Sequence, residues 1–303
     1  MRERVIINDV GPRDGLQNQP KILTPAQRLQ LIQALVDAGL KHIECGAFVS
    51  PKAVPAMAGA EEIAAGLPQH SGVAFTALIP NAKGYERARD AGLRSVGLVV
   101  AASNTMNEKN IRMGTEQALG VCAEVIAQAK ADGVEAQVYL ATAWRCPFEG
   151  EMDPGAVAAL GSRLQDLGAD LIVVSDTIGA AHPGQVRALM DRLQQSIPAA
   201  QLSCHFHDTR ALAVANVYAA LEAGIRRFDA SIGGLGGCPF APGATGNVAT
   251  EDLAMLLGLM GFETGINLDK LLAAGQLAGQ LSEQPTGGRA YPWLSRNTAL
   301  VAA

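Results

Sequence analysis

Charged residues are scarce in this chain, and they do not gather into runs of one sign. They make up 17% of the 303 residues, with 24 basic and 29 acidic side chains and a formal net charge of -5. The absence of a lysine or arginine run argues against a nucleic-acid-binding surface. A local basic pocket for a CoA or phosphate group stays compatible with this balance, since net charge does not describe a single cleft.

Paired cysteines and long apolar runs are also missing. The five cysteines are widely spaced without a CxxC pair, so neither a disulfide framework nor a zinc ribbon is predicted, and a reducing, cytoplasmic setting is expected. No uninterrupted apolar run is long enough to span a bilayer, and the first ten residues lack the apolar segment of a signal peptide. With 49% hydrophobic residues, the chain is predicted to be globular and to have no membrane segment.

Short β-branched runs alternate with longer helical stretches, a pattern that predicts repeated βα units. Eight strands are predicted, at residues 5–10, 42–46, 73–79, 95–103, 136–144, 171–177, 202–209 and 227–234. Eight such units close a (β/α)8 TIM barrel of the α/β class. We predict a single catalytic domain over residues 1–285, with extra C-terminal helices that cap the barrel, and a poorly ordered tail over residues 286–303.

Glycines end several predicted helices just before the next strand, at residues 39, 92, 168 and 224. This position is typical of a left-handed residue at a helix C-terminus. Polar residues instead follow the carboxyl ends of the strands, where active sites of this fold lie. The candidate functional side chains are therefore expected to meet at that mouth of the barrel.

His205 and His207 are two positions apart on a predicted strand, so their side chains point to the same face. One can pack while the other forms a hydrogen bond, but their place at a strand end favours a shared metal ion. Asp14 and Asn247 offer oxygen ligands, although a turn and a helix N-cap are their ordinary roles. This donor set suits Mg²⁺ or Mn²⁺ better than a thiolate zinc site.

The guanidinium of Arg13 has a permanent positive charge and a planar set of N–H donors, so it can hold a thioester carbonyl as it becomes an enolate. Glu44 and Asp176 end two strands, where they can orient Arg13, relay a proton, or form a static ion-pair network at the mouth. Cys238 lies in the glycine-rich stretch 233–253. A free cysteine is usually a buried filler, but this loop has little core to fill, which favours a reactive thiol.

Taken in order, these motifs resemble those of the hydroxymethylglutaryl-CoA lyase family. The matching segments are VGPRDGLQN, IECGAFVSPKAVPAM, RCPFEG, DTIG, HFHDT and GGLGGCPFAPGATGNVATEDL, and they cover nearly the whole chain. The resemblance implies a metal-dependent lyase that cleaves 3-hydroxy-3-methylglutaryl-CoA, or a close 3-hydroxyacyl-CoA analogue such as citramalyl-CoA, to acetyl-CoA and a keto acid. It implies the following roles: metal ligands Asp14, His205, His207 and Asn247; an active-site polar triad Arg13, Glu44 and Asp176; and the catalytic cysteine Cys238.

In the implied reaction, a base, Asp14 or His205, removes the proton of the tertiary hydroxyl and the C–C bond breaks. Cys238 then supplies the proton that completes the acetyl methyl group. A Claisen-condensing acyltransferase and a non-catalytic barrel are the alternatives. The expected partners are an acyl-CoA and further copies of the chain, in a homodimer or higher homo-oligomer.

Several positions depart from the family's usual residues. Ala47 stands where a serine is expected, Trp144 and Arg145 replace leucine and glycine, Arg210 and Ala211 replace tyrosine and glycine, and Pro20 and Lys21 blur an expected lysine. All are expected to face the mouth of the barrel. We therefore predict an acyl pocket whose volume and charge differ from those of the standard enzyme, unless these side chains point outward.

Overall fold

The strands of the barrel lie where the sequence predicts them. The structure is a computed structural model that describes residues 2–68, 71–237 and 246–297. The barrel strands are β1 (Ile6–Asp9), β2 (His42–Ala47), β3 (Ala74–Leu78), β4 (Ser95–Ala101), β5 (Glu135–Ala141), β8 (Leu171–Asp176), β9 (Leu202–Phe206) and β10 (Arg227–Ala230). All pair in parallel, in the closed order β1-β10-β9-β8-β5-β4-β3-β2. The predicted (β/α)8 barrel is confirmed.

A short antiparallel hairpin of β6 (Arg145–Cys146) and β7 (Gly150–Glu151) follows β5. The sequence did not predict it, because each strand has only two residues and carries no periodic signal. The hairpin is fastened to the first turn of the helix that follows β4, since the backbone N–H of Thr105 donates to Oε1 of Glu149 at 2.7 Å. It therefore forms part of the rim.

Helices cover the outside of the barrel and its C-terminal side. They are α1 (Pro25–Asp37), α2 (Ala60–Gly66), α3 (Ala82–Asp90), α4 (Asn104–Ile111), α5 (Thr115–Asp132), α6 (Pro154–Asp166), α7 (Pro183–Leu193), α8 (Ala213–Glu222), α9 (Thr250–Leu259), α10 (Leu268–Ser282) and α11 (Tyr291–Asn297). Thr24 begins α1 in a capping box with Gln27, with Pro25 at the first helical position. Gly39, Gly92, Gly168 and Gly224 have φ of 100°, 90°, 93° and 88°, which confirms the predicted left-handed ends.

The main hydrophobic core lies between the strands and the surrounding helices, whereas the interior of the barrel combines a small apolar cluster with many polar side chains. Residues that alternate inward include Asn8, Gln137 and Asp229, which line a small cavity at the amino-terminal end of the barrel. Within the described residues no helix is long and apolar enough to cross a membrane. The polar side chains inside the barrel give the side chains near the mouth hydrogen-bonding partners beneath them.

The segment that follows α10 is tied to the start of the glycine-rich stretch. Glu251, buried at the start of α9, accepts from the backbone N–H of Gly233 at 3.1 Å and of Gly288 at 2.8 Å. The N–H of Gly287 also donates to the carbonyl oxygen of Gly233 at 3.0 Å. The predicted tail begins at residue 286, and its described part contains α11, in which Leu294 is buried.

Ala211 occupies a backbone conformation that favours glycine. Its φ is 57°, in the turn between His207 and α8, and a left-handed alanine costs roughly 1–2 kcal/mol. We expect Ala211→Gly to raise the free energy of unfolding by at most about 1 kcal/mol. The gain is smaller than the strain that is relieved, because glycine also gives the unfolded chain more conformational entropy. Urea unfolding measures this.

The matched control is Ala159→Gly at an exposed position inside α6. The same change there should lower stability by about 0.5–1 kcal/mol. A loss of stability in both variants would contradict the backbone argument.

Candidate active site

A five-residue π-helical turn, Gly11–Gly15, follows β1 and carries two of the predicted side chains. Asp9 anchors the turn, since one carboxylate oxygen accepts from the N–H of Gly11 at 2.8 Å and the other from the hydroxyl of Thr250 at 2.7 Å. Burial raises the pKa of Asp9 to about 6, against the effect of these hydrogen bonds. The turn thereby presents Arg13 and Asp14 at the mouth.

Arg13 binds two carboxylates at once. Its Nε donates to Oε2 of Glu44 at 2.6 Å, and its Nη1 donates to Oδ1 of Asp14 at 2.7 Å. Burial disfavours the charged guanidinium, but the two carboxylates outweigh it and raise the pKa of Arg13 above its ordinary value. Burial raises the pKa of Glu44 to about 7, with Arg13 acting in the opposite direction. The guanidinium is therefore a permanent, fixed positive charge at the mouth.

Asp14, His205 and His207 converge so that one ligand atom from each lies within 4.8 Å of the others. His207 also pairs with Asn247 through a backbone bridge, which brings the amide to the same place. Asn247 donates its Nδ2 to Oδ2 of Asp14 at 2.9 Å and to the carbonyl of Leu235 at 3.1 Å. Its Oδ1 is buried without a hydrogen-bond partner among the described residues, which suits an acceptor that serves a cation.

The charges at this cluster also fit a divalent cation. Burial would raise the pKa of Asp14, but Arg13 and the two histidines lower it to about 2. Burial, with His205 nearby, lowers the pKa of His207 to about 4. Burial opposes protonation of His205, but the hydrogen bond and charge of Asp229 outweigh it and raise its pKa. At neutral pH the cluster therefore offers an ionised carboxylate and a neutral imidazole as ligands.

Asp176 lies beside this network, but its hydrogen bonds go to the backbone of the turn that follows β8. Its carboxylate accepts from the backbone N–H of Ala180 at 2.8 Å and of Ala181 at 3.0 Å. Burial raises its pKa, while these N–H groups act to lower it. No hydrogen bond joins it to Arg13 among the described residues. Its bonds to Ala180 and Ala181 shape the turn after β8, and its part in the polar triad stays a prediction.

Cys238 lies outside the described residues, and its predicted role as the catalytic thiol stays a prediction. Both flanks of its loop are described. Gly246 accepts at its carbonyl from the N–H of Asp208 at 3.0 Å, and a methyl group added to Gly246 would clash with the carbonyl oxygen of Gly234. The two ends of the loop therefore approach each other closely beside Asn247, which requires glycine there.

Sequence reasoning missed two buried side chains that contact the site. Tyr139 donates its hydroxyl to Oε1 of Glu44 at 3.3 Å, and Arg13 lies 5.9 Å above its ring. Oδ2 of Asp229 lies 3.0 Å from Nδ1 of His205. Two features of the sequence pointed to them. Asp229 is the single carboxylate in strand RFDA, and Tyr139 shares the inward face of β5 with Gln137.

Trp144 was expected to face the mouth, and this expectation is wrong. Its Nε1 donates to the carbonyl of Gln185 at 3.3 Å, and its ring packs 5.7 Å from that of Phe206. Phe206 alternates with the inward-facing His205 and His207, so it points to the helical layer. The expectation depended only on the place of Trp144 at the end of a predicted strand, and Trp144 instead lies three residues beyond the end of β5 at Ala141, after Thr142, whose φ is 53°.

The other departures lie nearer the mouth. Ala47 is buried at the end of β2. Arg145 is exposed on the hairpin, 3.6 Å from Glu151. Arg210 donates its Nη1 to the carbonyl oxygens of Ile178 and Gly179, beside Asp176. Arg145 and Arg210 thus both bring positive charge to the rim, but Arg145 is exposed and paired with Glu151, whereas Arg210 lies beside Asp176.

For Trp144→Phe we expect a change of stability without a change of substrate preference. The variant leaves the carbonyl of Gln185 without its donor and removes buried area, at a cost of about 1–3 kcal/mol in the free energy of unfolding. Urea unfolding measures the cost, and the ratio of kcat/KM for two acyl-CoA substrates measures preference. A tenfold shift of that ratio would place Trp144 in the pocket after all.

Comparisons with known proteins agree with this geometry. The HMGL-like family model matches residues 4–278. The chain is 44% identical to hydroxymethylglutaryl-CoA lyase of Pseudomonas mevalonii, over 90% of the chain and 91% of that protein. It is 45% identical to (R)-citramalyl-CoA lyase of Chloroflexus aurantiacus, over 90% and 89%. An HMG-CoA lyase from Acinetobacter baumannii, solved with coenzyme A and 3-methylmalate, superposes with a TM-score of 0.92 at 39% identity, covering 97% of this chain and 96% of that one.

Proposed function

The chain belongs to the HMGL-like family, and from this premise we propose that it is a divalent-cation-dependent carbon–carbon lyase. Its substrate is 3-hydroxy-3-methylglutaryl-CoA or a close 3-hydroxyacyl-CoA analogue, which it cleaves to acetyl-CoA and a keto acid. The proposed cation is Mg²⁺ or Mn²⁺. We further propose that the chain acts in the cytoplasm as a homodimer or higher homo-oligomer.

One observation carries the proposal: the cation ligands and the fixed guanidinium share a side chain. Asp14 contributes to the cluster with His205 and His207, and the same carboxylate accepts from Nη1 of Arg13 at 2.7 Å. A cation held by Asp14 and the guanidinium of Arg13 would therefore face the same small volume. Two positive groups beside one another suit a substrate with several oxygens that gains negative charge as it reacts.

When bound, the cation acts as a Lewis acid that makes an alcohol bound to it more acidic. The residues of the chain supply the rest. Arg13 holds the thioester oxygen as negative charge develops there, because Glu44 and Asp14 fix its guanidinium. In this proposal Asp14 or His205 accepts the hydroxyl proton. Cys238, proposed from the sequence alone, supplies the proton to the new methyl group.

Citramalyl-CoA is the second candidate substrate. The C. aurantiacus relative named for it and the P. mevalonii relative named for hydroxymethylglutaryl-CoA differ by a single percentage point of identity to this chain. Both substrates are 3-hydroxyacyl-CoA thioesters that release acetyl-CoA, so the same cation and Arg13 serve either. Ala47 and Arg210 are the departures near the mouth on which a different preference would depend.

Release of acetyl-CoA from a substrate panel tests the proposal. The panel contains 3-hydroxy-3-methylglutaryl-CoA, citramalyl-CoA and longer 3-alkyl analogues, each assayed with Mg²⁺, with Mn²⁺ and after chelation. We expect cation-dependent cleavage of at least one substrate. No cleavage of any panel member would overturn the proposal. Full activity of Cys238→Ala, together with condensation from acetyl-CoA, would favour a Claisen acyltransferase instead.

A further inference from the structure

The two histidines of the cluster are held unequally. Nδ1 of His205 lies 3.0 Å from Oδ2 of Asp229, whereas Nδ1 of His207 is buried without a hydrogen-bond partner in the described part of the chain. Their Nε2 atoms face each other at 3.1 Å. His205 is therefore held at Nδ1 by a carboxylate, whereas no described residue holds His207 at that atom.

Asp229 is in turn held from a third strand. Its Oδ1 accepts from Nδ2 of Asn8 at 2.9 Å, on the side away from His205. On β10, Asp229 is the register partner of His205 on β9 and of Asn8 on β1. The three side chains thus form one row across the barrel wall. Because Asp229 is only 3% exposed, water hardly competes for its oxygens.

This row selects one tautomer of His205. An ionised carboxylate only accepts hydrogen bonds, so the Nδ1 that faces Asp229 carries the hydrogen. The lone pair is then left on Nε2, the atom that faces His207. A neutral imidazole needs this arrangement to bind a cation through Nε2.

We propose that Asp229, oriented by Asn8, is a positioning residue that presents Nε2 of His205 to the divalent cation. The inference rests on the proposed function, because it requires a cation at this cluster. Among the described residues, His207 has no such partner at Nδ1, so its ring is the less constrained of the two. Asp229 itself touches neither the cation nor the substrate, so its effect is read first in cation affinity.

Mn²⁺ binding to purified variants tests the proposal, with free Mn²⁺ followed by electron paramagnetic resonance. Asp229→Asn keeps the shape but offers a donor as well as an acceptor toward Nδ1. We expect its Mn²⁺ affinity to fall about 10–100-fold, as for other partners behind a metal-bound histidine. Asn8→Ala leaves the carboxylate in place and should lose less.

Asp170→Asn is the matched control. It removes the same charge at the amino-terminal end of the barrel, where Asp170 accepts from the backbone N–H of Ala136 at 2.8 Å, and it should bind Mn²⁺ as the unchanged protein does. An unchanged Mn²⁺ affinity of folded Asp229→Asn would overturn this inference but leave the proposed function standing. A failure of the unchanged protein to bind Mn²⁺ would remove the proposed function, and the inference with it.

A second measurement needs no variant. Nitrogen-15 chemical shifts of the histidine rings in the cation-free protein report which nitrogen carries the hydrogen. We expect His205 to be protonated at Nδ1. Protonation at Nε2 alone would overturn the proposal, even if Asp229→Asn does not fold.

Discussion

Arg13→Met should lower kcat/KM by about 10²–10³-fold or more, the usual cost of removing one donor to a developing oxyanion. The variant also leaves Glu44 and Asp14 without their shared positive partner. Glu44 is fully buried, and loss of one member of a buried pair costs about 3–5 kcal/mol. Steady-state rates of acetyl-CoA release measure the first effect, and urea unfolding of the cation-free protein measures the second.

Two further variants separate charge from geometry. Arg13→Lys keeps the charge, but a single ammonium group cannot reproduce the fork that binds both carboxylates, so most of the rate should still be lost. Arg145→Met removes an exposed arginine that lies 3.6 Å from Glu151 on the hairpin, and it should leave the rate unchanged. Activity of Arg13→Lys within tenfold of the unchanged protein would show that the fork is not needed.

Asp14→Asn should weaken Mn²⁺ binding by more than about 100-fold, because even residues behind a metal ligand contribute 10–100-fold. It removes the only carboxylate among the candidate ligands found in the described residues. Isothermal titration with Mn²⁺ measures the loss. Asp153→Asn, at the exposed N-cap of α6, is the matched control and should bind Mn²⁺ normally.

The pH dependence of binding follows from the histidines. The pKa of His205 lies above its ordinary value of 6.5, and that of His207 is lowered to about 4. A proton on His205 competes with the cation, so affinity should fall as the pH drops through the pKa of His205. His207 stays neutral until about pH 4. Affinity that rises toward pH 5 would contradict this assignment.

Much of the barrel was predictable because its signals are local. Each strand is a short apolar run, and the glycines at positions 39, 92, 168 and 224 mark where helices end. The shared orientation of His205 and His207 was also predictable, since residues two positions apart on a strand share a face and this polar pair lies at the strand end. Asp14 and Asn247 lie beside them because the closed barrel brings the segment after its first strand next to the segment after its last strand.

The side chains that sequence reasoning missed depend on register between distant strands. Asp229 is 24 residues from His205 and 221 residues from Asn8 along the chain, and only parallel pairing places the three in one row. Tyr139 reaches Glu44 in the same way, across the barrel. Trp144 was misplaced for a different reason, because a position at a strand end does not determine where a side chain points; its contacts with Phe206 and Gln185 do.

The tie between Glu251 and the two glycines, Gly233 and Gly288, has a consequence for biosynthesis. Gly288 is made late, and the loop that leads from Gly233 toward Asn247 is fastened by it. On the ribosome the barrel strands are complete by Ala230, well before Gly288 leaves the exit tunnel. The tie at Gly233 can therefore form only after every strand of the barrel has left the ribosome, so the mouth is completed later than the barrel itself.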